Sequence, residues 1–295
     1  GRAMYHKTMH YRIFNVFNTC LLVSLAILCI IPLLHVLAIS FSSKAAADAS
    51  LVGLWPVDFS LEAYKKTINN PAFLHSIWVS IARTVLGTAL TLAVTFLAAY
   101  PLSKDNRVFR SRSIYSWLFV FSMVFNGGLV PFYIVIQKLG LINSFWVLVL
   151  PSTVNTFLVI LMLNFFRGIP KELEEAALID GAGHFKTLFK IFLPISLPSI
   201  ATIALFSMVF HWNSWFDGLL YINNAKDFPL ATFLQTVIIQ RDMSSMSMSP
   251  KEMEMLSQTT VNAAQIFIGA APILLVYPFL QRFFVKGMTL GSVKE

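Results

Sequence analysis

Charge is scarce in this sequence. Asp, Glu, Lys and Arg make up 12% of the 295 residues while hydrophobic residues make up 57%, and the mean hydropathy is +0.71. That balance lies outside the range of a soluble globular chain and excludes that class. Cysteine is almost absent: Cys20 and Cys29 both lie in the first apolar run, so there is no disulfide framework and no metal-ligand spacing. Two motifs are also missing. Without a Gly-x4-Gly-Lys-Ser/Thr loop or a His-Glu-x2-His helix, the chain has neither the phosphate cradle of an ATPase nor the zinc site of a metalloprotease. Any ATP hydrolysis must come from a separate chain. Carboxylates are rare within the apolar runs, where Asp217 alone stands out. An ion-coupled secondary transporter usually has such groups and an inverted repeat, and a membrane-embedded enzyme would need more than His35, Arg83, Asn155 and Asp217.

What is present is a set of apolar runs of bilayer-crossing length. We expect an all-α polytopic membrane protein, one transmembrane domain over residues 1–295, with spans at about 14–40, 75–102, 114–136, 144–166, 195–221 and 261–284. A signal peptide is the rival for the first run because Ala45-Ala46-Ala47 resembles a cleavage site, but the run is about twice the usual 7–15 residues. Pro32 should bend it. The net charge of +8 does not point to nucleic acid, because the basic residues sit at the edges of apolar runs. The proposed inner segments hold 14 Lys and Arg. The outer ones hold seven (Lys44, Lys65, Lys66, Lys138, Lys226, Arg241, Lys251), and Arg83 is intramembrane. The bias places both termini and the 167–194 loop in the cytoplasm, with outer loops at 43–74 and 222–260.

Several residues interrupt the apolar pattern. Arg83 is costly at depth unless paired or hydrated, and reads equally as a functional group or as a structural ion pair. Asn126-Gly127-Gly128 and Pro131 break the third run, either lining a pathway or making a packing notch. Asn155 needs a partner at mid-depth, another helix or a passing solute. The fifth run ends in His211-Trp212-Asn213-Ser214-Trp215-Phe216-Asp217. Aromatic faces with amides and carboxylates suit sugars, whereas an interfacial belt accounts for Trp212 and Trp215 but not for Asp217. Arg83, Asn155, Trp212, Asn213, Trp215 and Asp217 are therefore the candidate substrate pathway, with Arg83 and Asp217 facing one cavity or each other. In the outer loops, Ser60 is expected to cap a short helix with Ala63 and Tyr64 facing inward. The Met-rich run from Met243 to Met255 has no Cys or His beside it and reads as an adaptable protein contact rather than a Cu(I) site. Ser249-Pro250-Lys251-Glu252 is a capping box.

The most informative stretch is cytoplasmic, Ile169 to Pro194. Pro170 suits the first helical position, Glu172, Glu174 and Glu175 favour the positive end of the dipole, and Gly181 can take the left-handed conformation that ends a helix. Ile169, Leu173, Ala176 and Ala177 form a low apolar stripe that another protein could approach closely. A helix lying on lipid would instead be basic with large apolar residues.

Glu175-Ala176-Ala177, three residues, Gly181, nine residues, Ile191, one residue, Leu193-Pro194 resembles the EAA loop of bacterial ABC importer membrane subunits. Likeness to the carbohydrate class, maltose-transporter-like and lipoprotein/aldouronate-type, extends over nearly the whole chain. It rests on Leu54-Trp55-Pro56, Ala99-Tyr100-Pro101-Leu102-Ser103, Gly127-Gly128-Leu129-Val130-Pro131, Ile179-Asp180-Gly181-Ala182, Trp212-Asn213, Tyr277-Pro278-Phe279-Leu280-Gln281 and Lys286-Gly287. The resemblance implies an ABC importer permease fold in the bacterial cytoplasmic membrane, importing oligosaccharides, uronate-containing ones such as alginate fragments among them. It implies that Glu175, Ala176, Ala177, Asp180, Gly181, Ile191, Leu193 and Pro194 couple the chain to an ATPase dimer, where ATP and Mg are bound, with Gly291, Ser292 and Lys294 as a second contact. A distinct second permease subunit and an extracytoplasmic solute-binding protein complete the implied assembly. ATP would close the motor and rock the two permease halves between inward-open and outward-open states.

Gly181→Asp is expected to leave folding largely intact but to uncouple ATP hydrolysis from uptake. Substrate accumulated per ATP in proteoliposomes measures this, and a normal ratio would count against a lever at this position.

Overall fold

A computed structural model describes residues 9–244 and 259–292. Every regular element among the described residues is helical, the open-chain arrangement that satisfies backbone polar groups without water. Residues 9–70 with 237–244 and 259–269 form one packed unit; residues 71–236 with 270–292 form another.

The first unit begins with α1 (Met9–Ser40), 32 residues long, with Pro32 inside it and not ending it. Its apolar window buries nothing within the chain, a surface suited to lipid. The following segment, expected to be a broken loop, is tied to the end of α1. Ser43 caps α2 (Lys44–Asp48) by accepting from the Ala46 N–H at 3.2 Å. Ser42 donates to the Ala38 carbonyl at 2.6 Å and accepts from the Val57 N–H at 3.0 Å. The Phe41 ring stacks on Phe59 and Tyr64. Leu61, not Ser60, holds the N-cap position of α3 (Glu62–Ile68), although Ser60 Oγ accepts from the Glu62 N–H at 3.2 Å. Ala63 is buried with Val261 and Ala264, and Tyr64 lies beside them.

The second unit is built on α4 (Pro71–Ser103), 33 residues. Its buried stripe reads Ser76, Ser80, Arg83, Gly87, Thr91, Thr95, Ala99, small or hydroxyl-bearing residues at three- and four-residue spacing around one arginine. Small side chains let helices approach closely where lipid supplies no hydrophobic drive between them. Next come α5 (Arg112–Val124) and α6 (Leu129–Lys138), which meet at 117°. The expected third span is therefore not one kinked rod: it turns back on itself. Gly128 has φ +88° and donates its N–H to Asn126 Oδ1 at 2.9 Å, so an Asn side chain and a left-handed Gly make the turn. Pro131 causes no kink. It occupies the first turn of α6, where its missing N–H costs nothing.

The fourth run starts as 3-10 turns over Phe145–Ser152 and bends by 45° into α7 (Thr156–Gly168). The 167–194 loop carries α8 (Lys171–Ile179) and α9 (His184–Thr187). A π turn at Leu188–Phe192 then leads into α10 (Leu193–Ile195). An 81° bend leads to α11 (Leu197–Asn213) and, after a break, α12 (Phe216–Tyr221). The expected outer loop 222–260 contains α13 (Leu230–Ser244), and the last helix α14 runs Thr259–Ser292. Ser245 to Gln258, including most of the Met-rich run and the capping box, lies outside the described residues, as does Lys294. Among the described residues three helices are long and apolar enough to cross a membrane (Tyr11–Ser40, Pro71–Ser103, Thr259–Pro278), or up to six segments if each bent pair is one span.

The core of the second unit lies at the C-terminal end of α4, where Phe96, Tyr100, Phe166 and Phe192 meet edge to face, with centroids 5.0–5.3 Å apart for Tyr100–Phe192, Phe96–Phe166 and Phe166–Phe192. Such pairs each add about 0.5–1.5 kcal/mol beyond area burial. Near mid-length, α4 meets α11 at Gly87. A Cβ there would lie 2.5 Å from the His211 ring, which is 1% exposed.

Gly87→Ala should therefore lower the thermal midpoint of the purified protein. Overpacking costs about 1–3 kcal/mol, more than the roughly 0.5–1 kcal/mol gained by removing a helical glycine. Adding His211→Ala should restore most of the loss. An unchanged midpoint for the single variant would show that the ring can move aside.

Candidate functional site

Two places on the second unit concentrate polar groups, one at the break between α11 and α12 and one at the 167–194 loop. The fifth run is not a continuous span to Tyr221, because α11 ends at Asn213 and α12 starts at Phe216. A break frees carbonyls that lipid cannot satisfy. Arg83, fully buried on α4, donates from Nη1 to the Ser214 carbonyl at 2.9 Å, and Thr232 Oγ1 donates to the Trp215 carbonyl at 2.7 Å. Arg83 also forks onto Asp217: Nη1 donates to Oδ1 at 3.2 Å, and Nη2 pairs with Oδ2. Arg83 thus faces Asp217 directly.

Beside the break lies a cavity of about 890 Å³ lined by Asn155, Asn213, Ser214, Trp215, Asp217 and Tyr221, among others. Four of the six sequence candidates are brought together there. Arg83 is not among the lining residues, because it stands behind Asp217. Trp212 is also elsewhere: one residue from Asn213, it points around α11 to a smaller cavity of about 170 Å³ with Pro272 and Tyr277. Asn155 Oδ1 caps α7 by accepting from the Leu158 N–H at 3.3 Å, a local partner in addition to the helix or solute expected of it. Asn213 Nδ2 donates back to the Val209 carbonyl at 3.0 Å. In both amides one end is used to hold the residue in place, and the other end remains for the cavity. With the Trp215 ring in the same lining, the arrangement offers an aromatic face, amides and a charge-balanced carboxylate. Among the described residues no cluster of His, Cys, Asp and Glu could hold a metal ion.

In the 167–194 loop Pro170 occupies the N-cap of α8 instead of the expected first helical position, one residue before the helix starts at Lys171. Its end is a Schellman closure: the Ala182 N–H donates to the Ala177 carbonyl at 2.9 Å, the Gly181 N–H donates to that of Leu178 at 3.0 Å, and Gly181 has φ +76°. The expected stripe of Ile169, Leu173, Ala176 and Ala177 is divided. Ile169 and Ala177 are buried, while Leu173 and Ala176 face outward with Glu175, Leu178, Asp180 and Ile179, the last 86% exposed. Ile191 and Leu193 pack against the aromatic core, and Pro194 is exposed. Half of the motif builds the loop and half presents a surface. Gly291 and Ser292 lie at the end of α14.

Sequence reasoning missed the groups that hold α8 to α4. Lys104 Nζ pairs with Glu174 Oε1 at 2.6 Å and lies 3.9 Å from the Tyr100 ring centroid and 4.4 Å from that of Phe192. Burial pushes the Lys104 ammonium below the ordinary lysine value, and Glu174 opposes that shift. Nearby, the exposed Lys171 and Asp105 pair at 2.7 Å, which lowers the Asp105 carboxyl and raises the Lys171 ammonium. A tyrosine four residues before a lysine at a helix end was the available signal, but Lys104 read as one of four topology-setting basic residues.

The Arg83–Asp217 geometry predicts asymmetric costs. Asp217→Asn leaves a fully buried guanidinium without a counter-charge and should cost about 3–5 kcal/mol. Arg83→Met leaves a carboxylate that is 27% exposed at the cavity and should cost less. The double variant should fall short of the sum by at least about 1 kcal/mol, as measured by thermal unfolding of the purified protein. Additive losses would show that the two groups are energetically independent.

Comparison with known proteins agrees with this architecture. Residues 96–290 match the family described as binding-protein-dependent transport system inner membrane component. Protein LplC of Bacillus subtilis (strain 168) is 42% identical over 289 residues, which is 98% of this chain and 97% of that protein. The polygalacturonan/rhamnogalacturonan transport system permease protein YtcP of the same organism is 39% identical over 292 residues, covering 97% of this chain and 100% of that one. Among solved structures, a chain from a bacterial ABC transporter involved in the import of the acidic polysaccharide alginate superposes with a TM-score of 0.85 at 30% identity, covering 94% of this chain and 98% of the other. The chain is a carbohydrate ABC importer permease and belongs to the family of binding-protein-dependent transport system inner membrane components.

Proposed function

We propose that this permease carries oligosaccharides, uronate-containing ones such as alginate fragments among them, across the bacterial cytoplasmic membrane through the cavity at the α11–α12 break. The observation that carries the reading is the set of Asn155, Asn213, Trp215 and Asp217 around one space of about 890 Å³, which is of ligand-pocket size. Ring faces can meet sugar C–H surfaces, and amides can meet hydroxyls. Asp217 would repel an acidic sugar if its charge were unopposed, but Arg83 neutralises it. Relatives whose names specify polygalacturonan, rhamnogalacturonan and alginate support the acidic class. In this reading the chain is one domain of six spans with both termini cytoplasmic. It pairs with a second permease subunit and receives ligand from an extracytoplasmic binding protein. The outward residues of α8 (Glu175, Ala176, Asp180) and the end of α14 meet separate ATPase subunits that hold ATP and Mg. Buried Ala177, Ile191 and Leu193, with Gly181 and Pro194, give that surface its shape.

The test is to express the chain with its chromosomal neighbours, purify it by a tag and assay hydrolysis with neutral and acidic oligosaccharides. A co-purifying ATPase and second permease, with hydrolysis stimulated by binding protein loaded with acidic oligosaccharide, is the expected result. Stimulation by neutral sugars alone would overturn the acidic class, and recovery of the chain alone would overturn the assembly. Within the cavity, Asn213→Ala should raise the KM for uptake about tenfold, the scale of one hydrogen bond of about 1.5 kcal/mol, with the amount transported per ATP unchanged.

A further inference from the structure

We propose that Lys104 is a positioning residue that locks the coupling helix α8 to α4, and that α4 thereby acts as a rod carrying motion from the cytoplasmic loop to the cavity wall. The proposal rests on the reading of α8 as the ATPase contact.

The rod is anchored at two points. At the cytoplasmic end, Lys104 follows the last turn of α4, where a cation complements the negative dipole end. Glu174 sits in the first turn of α8, where an anion complements the positive end. Their side chains are only 8% and 19% exposed and meet at 2.6 Å. The ammonium is held against the Tyr100 and Phe192 rings, and Tyr100 OH donates to Glu174 Oε1 at 3.4 Å. Arg112 Nη1 donates to the Lys104 carbonyl at 3.1 Å, which fixes the backbone there. Phe192 belongs to the return limb of the same loop, so one lysine binds α8, α4 and the π turn together. The second pair between these segments, Lys171–Asp105, is 72% and 62% exposed, and exposed pairs contribute little. Lys104–Glu174 is therefore the fastening that resists displacement.

Nearer the middle of the same unbroken helix stands Arg83, which grips the Ser214 carbonyl and Asp217 at the cavity. The 21 residues from Arg83 to Lys104 span about 31 Å at about 1.5 Å per residue. Pro101 lies in the last turn of α4 and does not interrupt this length. A displacement of α8 is thus delivered through one helix to the break that carries Trp215 and Asp217. Without the fastening, α8 would still meet its motor, but its stroke would be absorbed locally.

The experiment uses the complete importer, with partner permease, ATPase and binding protein, in proteoliposomes, and reads sugar accumulated per ATP hydrolysed. The neutral pair Lys104→Met with Glu174→Gln keeps side-chain size, and is expected to assemble and hydrolyse ATP while the ratio falls at least fivefold. Lys104→Arg, which keeps the cation, is expected to stay within twofold of wild type, as is the exposed control Asp105→Asn with Lys171→Met. If the neutral pair does not assemble, Glu174→Gln alone serves as the reading. A wild-type ratio in the neutral variant, or uptake and hydrolysis falling in step, overturns the proposal. Gly181→Asp in the same vesicles separates the two levels. If it uncouples while the neutral pair does not, only the role of Lys104 fails. If Gly181→Asp also couples normally, the reading of α8 fails, and the proposal falls with it.

Discussion

A lipid slab supplies no hydrogen bonds, so each place where a helix breaks must be repaired by the protein itself. The second unit can be understood from its repairs. Arg83 closes the break after α11 by satisfying the Ser214 carbonyl, and Thr232 satisfies that of Trp215. Asn126 pairs the Gly128 N–H at the turn between α5 and α6, and Asn155 takes up the Leu158 N–H at the start of α7. Of these, the arginine carries the most, because a buried guanidinium costs several kcal/mol unless paired. Asp217 is the counter-charge that makes it tolerable. The cavity beside the break exists because the chain leaves the helix there, and it leaves the helix there because Arg83 can hold the loose end.

The 167–194 loop meets a different demand. It must be stiff and also present a surface. Ala177 turned inward lets α8 lie close to its support, Gly181 reverses the chain with a full Schellman closure, and Ile191 with Leu193 roots the return limb in the aromatic core. Glu175, Ala176 and Ile179 are left facing out. Motif residues separated by up to nineteen positions therefore serve one rigid object. The buried Lys104–Glu174 pair joins that object to the helix bearing Arg83.

Much of this could be read from the residue order, and what could not has definite causes. Pro170 and Gly181 marked the ends of α8 to within one residue, since each acts through its own φ. Arg83 and Asp217 were conspicuous because charge in an apolar run is costly wherever it falls. The direction of Trp212 was not legible. One residue separates it from Asn213, about 100° around a helix, and which side faces the cavity is set by the neighbours of α11. Asn155 reads from the sequence as a group needing another helix or a passing solute, and its role as the cap of α7 was not legible because the 3-10 turns before it set where that helix starts. The reversal at Asn126–Gly128 passed for a kink, because hydropathy measures length and not direction. The small-residue stripe of α4 lacked the hydrophobic period that marks buried faces in water, since burial against lipid is not driven by apolarity.

By itself, the sequence determined the class of environment, the approximate position of each apolar run, and the two ends of the loop helix α8. These depend on transfer free energies and on local backbone preferences that act within a few residues. Only the tertiary structure decided which helices turn back, which side chains share the cavity, and that Lys104 and Glu174, seventy positions apart, form one buried fastening. Those outcomes depend on pairing between distant segments, where each group's partner is set by how the helices pack and not by its neighbours in the chain.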